Sequence, residues 1–152
     1  MIIKTKHFGE VEVDEENILE FPEGIFGFEE FRKFVILFDQ EVEDSPFCWL
    51  QSLENQETAL PVINPMSFFP EYNPEVAGEL VEKIGEPIIE DINLFTVVVV
   101  PEDVKKMTTN LKAPILVNVK TKKGMQVIAH DDQYAIKHNL YEQIKNLQEA
   151  GE

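Results

Sequence analysis

A chain of 152 residues is long enough to build one self-sufficient core, and 43% hydrophobic with 28% charged residues is ordinary globular composition that excludes wholesale disorder. With 13 basic against 29 acidic side chains the net charge is −16, a surface that repels phosphate backbones and excludes direct nucleic-acid binding as a leading reading. Cys48 is the lone cysteine, the N-terminus lacks an apolar signal-peptide core and the longest apolar run, from Phe95 to Pro101, is too short to span a bilayer, so the expectation is a cytoplasmic protein without disulfide or membrane partner.

Residues 2–5, 9–13 and 18–21 are short, alternating and separated by turn-forming residues, which predicts a meander of half-buried strands. Phe21-Pro22-Glu23-Gly24-Ile25-Phe26-Gly27-Phe28-Glu29-Glu30-Phe31 follows. Proline fixes φ and glycine permits φ > 0, so this aromatic stretch reads as a specified bend. Its rings either plug the end of a core, with Phe21, Phe26 and Phe28 shaping the fold, or stay exposed as a docking patch. One helical turn is expected over 29–34, then a strand over 35–38, a charged turn over 41–46, and strands over 47–52 and 59–63. Pro61 lacks a ladder N–H and places the last of these at an edge or a bulge.

Three prolines and three aromatics make 64–74 an anchored loop, and Val76, Ala77, Leu80, Val81 and Ile84 recur at helical spacing over 75–84, closed by Gly85 and Pro87. Thr96–Val100 is β-branched throughout and belongs in a central position covered on both faces. A hairpin is predicted from 115–121 and 125–129 with Gly124 in its loop, entered through Asn110 and stabilised by Asn118 bonding nearby backbone. Ile136, Leu140, Ile144 and Leu147 define one face of a terminal helix over 136–149. With neither a linker nor an internal repeat, the expected organisation is a single domain over 1–152, mostly β, a compact barrel-like fold with one or two short helices.

The residues carry little catalytic chemistry. His7, His130 and His138 are scattered, His130-Asp131-Asp132 reads as a solvated acidic turn, and Cys48 sits in an apolar strand with no adjacent base. Gly24 and Gly27 are not followed by the Lys-Ser or Lys-Thr of a phosphate-binding loop. No cofactor or metal is expected.

Four motifs occur in order: Phe21-Pro22-x-Gly24-x-x-Gly27-Phe28-Glu29, Phe47-x-x-Leu50-Gln51-Ser52, Thr108-x-Asn110-Leu111-x-Ala113-Pro114-Ile115 and Gly124-x-Gln126-Val127. Together they resemble the bacterial flagellar assembly factor FliW family over nearly the whole chain, departing at 75–87. The resemblance implies a small cytoplasmic β-barrel without enzymatic activity. It further implies two partners: the translational regulator CsrA, whose repression of flagellin translation is relieved, and flagellin itself. Phe21, Pro22, Gly24, Gly27, Phe28, Gln51, Asn110, Pro114 and Gln126 are then motif residues with a structural role.

Acidity has the sign that an antagonist of a basic RNA-binding protein needs. Residues 1–60 carry 4 basic and 15 acidic side chains, against 8 and 5 in residues 104–152. The expected regulator-facing surface is therefore 10–30 with 71–91, and the candidate partner-binding residues are Glu10, Glu12, Glu71, Tyr72 and Glu75. The alternative is a small barrel holding a hydrophobic or anionic ligand in a cavity among Val35, Leu37, Val97, Val99 and Ile115.

Overall fold

The computed structural model describes residues 1–38, 47–75, 82–85, 91–131 and 133–150, the last five without their side chains. Strands β1 (Ile2–Lys4) and β2 (Glu10–Glu12) form a separate antiparallel pair. Strands β3 (Leu19–Glu20), β4 (Lys33–Leu37), β5 (Phe47–Ser52), β6 (Ala59–Ile63) and β7 (Ile92–Val99) pair antiparallel in succession. They continue into β8 (Thr108–Thr109), β9 (Ile115–Asn118), β10 (Lys123–Gln126), β11 (His138–Asn139) and helix α1 (Tyr141–Ala150).

The large sheet closes on itself. β9 pairs with both β10 and β7, and β10 meets β3, so β3, β4, β5, β6, β7, β9 and β10 form a ring, with β8 and β11 branching from the far end of β7. The mostly-β, barrel-like architecture expected from the sequence is the one observed. Closure pairs most strand edges of the ring and so removes most of the surface on which strands aggregate. Its thinnest seam is the parallel β3–β10 contact, with one registered pair, Lys123 with Glu20, and a Glu20 N–H bond to the Lys122 carbonyl at 2.8 Å.

Side chains fill the ring. Leu19, Phe21, Ile25, Phe34, Cys48, Leu50, Val62, Ile115 and Val117 form the central cluster, and Phe21 meets Phe34 edge-on at 5.4 Å. Outside the ring, Ile3 and Val13 of the N-terminal hairpin cover Val35; Ile84 covers Leu116, Met125 and Val127; and Leu140 and Ile144 cover Ile63, Phe68, Val98 and Met107. The interior positions suggested for a ligand are thus divided. Val97 and Ile115 join the central cluster, Val35 and Leu37 lie under the N-terminal hairpin, and Val99 is exposed.

Several expectations are corrected. No helical turn precedes β4, which already begins at Lys33, because Phe34 is needed opposite Leu19. Val99 is 57% exposed and Val100 is also open, since β7 outruns the layers that cover it; the strand buried on both faces is β9, whose four residues are all buried. Pro61 lies in a strand with neighbours on both sides, but the β6–β7 ladder includes only Val62 and Ile63, so no registered bond to β7 is lost at Pro61. Gly124 is inside β10 instead of its loop, and Lys122 takes the positive φ of 60° at the turn. α1 starts at Tyr141, not 136: His138 and Asn139 are held as a strand against Thr109 and Thr108, and the Asn139 side chain accepts the Glu142 N–H at 3.1 Å. Ile136 is consequently 63% exposed, and the side chain of Leu147 lies outside the described set. Of the helix expected over 75–84, only Glu75 and a 3-10 turn at Glu82–Ile84 are described; the charged turn over 41–46 also lies outside the described residues.

Candidate functional site

The motif residues meet around the thin β3–β10 seam. Phe21 is fully buried and its ring lies over Gly124, where a Cβ would come within 2.7 Å of two ring carbons. Gly24 turns the chain at φ 72°, and a Cβ there would fall 2.5 Å from the Glu29 Cα. The Pro22 carbonyl accepts a bond from the Arg32 guanidinium, and Gly27 sits in the turn in which Phe28 N–H reaches the Ile25 carbonyl at 2.7 Å. Gln126 links this bend to the hairpin entry: its Oε1 accepts the Phe26 N–H at 2.9 Å and its Nε2 donates to the Ala113 carbonyl at 3.0 Å. Asn110 Oδ1 accepts the N–H groups of Lys112 and Ala113, each at 3.1 Å, and the buried Pro114 supplies a carbonyl to Val127 N–H at 3.0 Å. Phe28 is half-buried, but Phe26 is 48% exposed, so of the three phenylalanines expected to shape the barrel, Phe26 faces solvent.

Gln51 is a second organising residue, buried in β5. Its Oε1 accepts the Lys6 N–H at 3.0 Å, and its Nε2 lies 3.0 Å from the Ser52 carbonyl and 3.1 Å from that of Gln56. This ties the β1–β2 turn to the barrel. The turn itself is held by Thr5, whose Oγ1 donates to the Gly9 carbonyl at 2.7 Å and accepts the Phe8 N–H at 2.9 Å. The His7 ring then stacks against Trp49 at 4.0 Å, and desolvation, assisted by Lys6, lowers its pKa below the usual histidine value.

Docking the hairpin this way leaves a trough of about 800 Å³ between β2 and β4. Glu10, Glu12 and Asp14 lie along one wall; Val35, Leu37 and the 66%-exposed Phe38 lie along the other. A second cleft, about 550 Å³, is bounded by Phe68, Phe69, Glu71, Tyr72, Tyr134 and His138, with Gln143 of α1 on its border. Tyr72 is buried in its floor and its hydroxyl donates to the Leu111 carbonyl at 2.7 Å; burial holds that phenol well above the usual tyrosine range. Tyr134 crosses Tyr72 edge-on at 4.7 Å and accepts the Asn73 N–H at 2.9 Å. Glu75 lies beside this cleft, its N–H bound to Asp131 Oδ1 at 2.6 Å.

The five candidate partner residues therefore fall at two places, Glu10 and Glu12 on the trough, Glu71, Tyr72 and Glu75 at or beside the aromatic cleft. None of the buried residues of the central cluster lines either space. Sequence reasoning passed over Tyr134, read His138 only as one of three scattered histidines and placed Phe38 in a core strand, although it is exposed; the Phe68-Phe69-Pro70 run was the available signal that aromatics gather near the second cleft. Cys48 is buried, and burial pushes its thiol up to about 11, the property of a core thiol and not of a nucleophile. Among the described residues, no three His, Cys, Asp or Glu side chains group as metal ligands, and no helix is long and apolar enough to cross a membrane.

The profile of the FliW protein family matches residues 2–140. The chain is 46% identical over 147 residues to a flagellar assembly factor FliW of Lachnoclostridium phytofermentans, covering 96% of this chain and 94% of that one. It is 44% identical over 149 residues to the FliW of Caldanaerobacter subterraneus, with 96% and 97% covered. A crystal structure of the flagellar assembly factor FliW superposes with a TM-score of 0.83 at 34% identity, covering 92% of this chain and 96% of that one. The motifs packed around the seam, the closed ring and these matches place the chain in the FliW family of flagellar assembly factors.

Proposed function

We propose that this chain is a cytoplasmic, non-enzymatic partner-switching protein that binds CsrA, relieving its repression of flagellin translation, and binds flagellin, coupling flagellin synthesis to assembly. Family membership supports the flagellar setting, and the named partners extend the resemblance noted in the sequence. The observation that carries the reading is the trough whose wall bears Glu10, Glu12 and Asp14 opposite Leu37 and the exposed Phe38. Carboxylates beside apolar surface suit a basic protein: charge raises the encounter rate, and the apolar wall supplies contact area once the partner is seated. The aromatic cleft beside α1 is the candidate seat for flagellin, through the apolar face of a helix.

The test is charge reversal in two pairs, Glu10→Lys with Glu12→Lys and Glu71→Lys with Glu75→Lys, with CsrA affinity measured at low and high salt. Reversal on the trough is expected to weaken binding by about tenfold at low salt and by less at high salt. Affinity unchanged by either pair in both conditions sinks the acidic-surface reading. Size-exclusion chromatography with purified flagellin and with CsrA provides the coarser check, and complex formation with neither removes the proposed partners.

A further inference from the structure

Among the described residues, the backbone on both walls of the trough is left without a strand partner in a way that selects its occupant. In an antiparallel ladder, residues alternate between those whose N–H and C=O face the neighbouring strand and those whose groups face away. Leu53 N–H bonds the Lys33 carbonyl at 2.9 Å, which sets the phase: Lys33, Val35 and Leu37 face β5, and Phe34 and Ile36 face the opposite side. Leu19 of β3 covers Phe34. Extending that register by two residues would put Asn17 against Ile36, but the chain leaves the sheet there in the 3-10 turn Glu15–Asn17, with Asn17 N–H on the Asp14 carbonyl at 2.9 Å. Among the described residues, Ile36 has no strand across from it.

The other wall repeats the pattern. Val13 N–H bonds the Met1 carbonyl at 2.7 Å and Thr5 N–H the Gly9 carbonyl at 2.8 Å, so Val11 faces β1 while the backbone groups of Glu10 and Glu12 face away from it. Among the described residues, two open strand edges thus line one trough. The Glu10 and Glu12 carboxylates are exposed, and half-buried Leu37 and exposed Phe38 supply apolar surface beside them.

We propose that this trough takes an extended, basic segment of a partner protein as an added β-strand, bonded to the open edge of β4 at Ile36 and to that of β2 at Glu10 and Glu12. Strand addition draws affinity from main-chain bonds and specificity from alternate side chains. One face of the incoming strand presents valine-sized side chains to Leu37 and Phe38, and its lysine or arginine side chains meet Glu10, Glu12 and Asp14. A second copy of this chain is disfavoured as the occupant, because each copy carries −16. The choice of a basic occupant rests on the proposed function; the open edges do not.

The probe is a short synthetic peptide of alternating valine and lysine, added to the isotopically labelled full chain while amide exchange is followed by NMR. Controls of equal length are all-lysine and the same alternation with N-methylated amides. The alternating peptide is expected to slow exchange at Ile36 by about tenfold or more, as a newly bonded strand amide does, while the N-methylated one does not. The Glu10→Lys, Glu12→Lys double variant, whose changes lie on exposed side chains, is expected to bind the peptide about tenfold more weakly at low salt. Equal binding by the all-lysine or N-methylated peptide, no binding by the alternating one, or unchanged exchange at Ile36 overturns the inference. CsrA binding that leaves Ile36 exchange unaltered overturns the strand-addition slot and spares the regulator reading. Protection by the peptide with no CsrA binding supports the slot and removes that regulator.

Discussion

Phe21 and Gly124 come from separate motifs of the sequence and meet at the thinnest seam of the ring. The ring occupies the space that a side chain at 124 would need, with two of its carbons 2.7 Å from the position of a Cβ. Phe21→Ala is expected to destabilise the protein by about 3–5 kcal/mol through the cavity it leaves. Gly124→Ala forces an overlap and is expected to cost about 1–3 kcal/mol. Because both act on one volume, the double variant should lose less than the sum of the two, since the added methyl enters the space vacated by the ring. Denaturant unfolding of the three variants checks this, and strict additivity would show that the two residues do not share that space. Phe26→Ala, at an exposed ring, is the matched control and should leave stability within about 0.5 kcal/mol.

At the scale of elements, the start of β4 depends on a side chain from the loop after β5. Glu54 Oε1 accepts the N–H groups of Arg32 at 2.6 Å and Lys33 at 2.8 Å, and those two bonds hold its carboxyl below the ordinary value of 4.5. A carboxylate whose folded pKa is depressed adds stability above the unfolded value and loses it as pH falls through the folded one. Wild type and Glu54→Gln should therefore differ most at neutral pH and converge as pH drops below 4.5. Thermal unfolding across that range is the measurement, and a gap independent of pH would rule out the carboxylate as its source. Alternation made most strands legible, and the prolines and glycines marked the bend after β3. What stayed hidden has a common cause in tertiary contact. Gly124 beside two lysines reads as a turn residue, because nothing local reports the Phe21 ring above it. Ile136 keeps helical spacing with Leu140 and Ile144, yet pairing of His138 and Asn139 with β8 holds that segment out of the helix. The candidate acidic residues were legible as a class, but their distribution between two clefts is set by which wall each segment forms, and charge along a chain carries no record of that.

For the molecule as a whole, the net charge of −16 acts in opposite directions on stability and on binding. Like charges at this density repel one another within the compact state, a cost that counter-ions reduce. Two ion pairs among the described residues, Lys83 with Glu23 at 2.8 Å and Lys120 with Asp91 at 3.5 Å, work the other way, but three of their four partners are more than half exposed and such pairs contribute about 0–1 kcal/mol each. The fold therefore leans on the filled ring and its three outer apolar clusters rather than on charge attraction, so screening has more repulsion to remove than attraction. Raising sodium chloride from about 0.01 to 0.5 M, which shortens the Debye length from about 30 Å to well under 10 Å, should raise the thermal midpoint by about 2–6 °C. The same change should slow association with a basic partner by about tenfold or more, because steering of the encounter depends on the unscreened field. Measured on one sample series, the two responses must carry opposite signs. A midpoint that falls with salt would mean that attraction between specific charges outweighs the collective repulsion, and an association rate indifferent to salt would mean that the acidic surface plays no part in finding the partner.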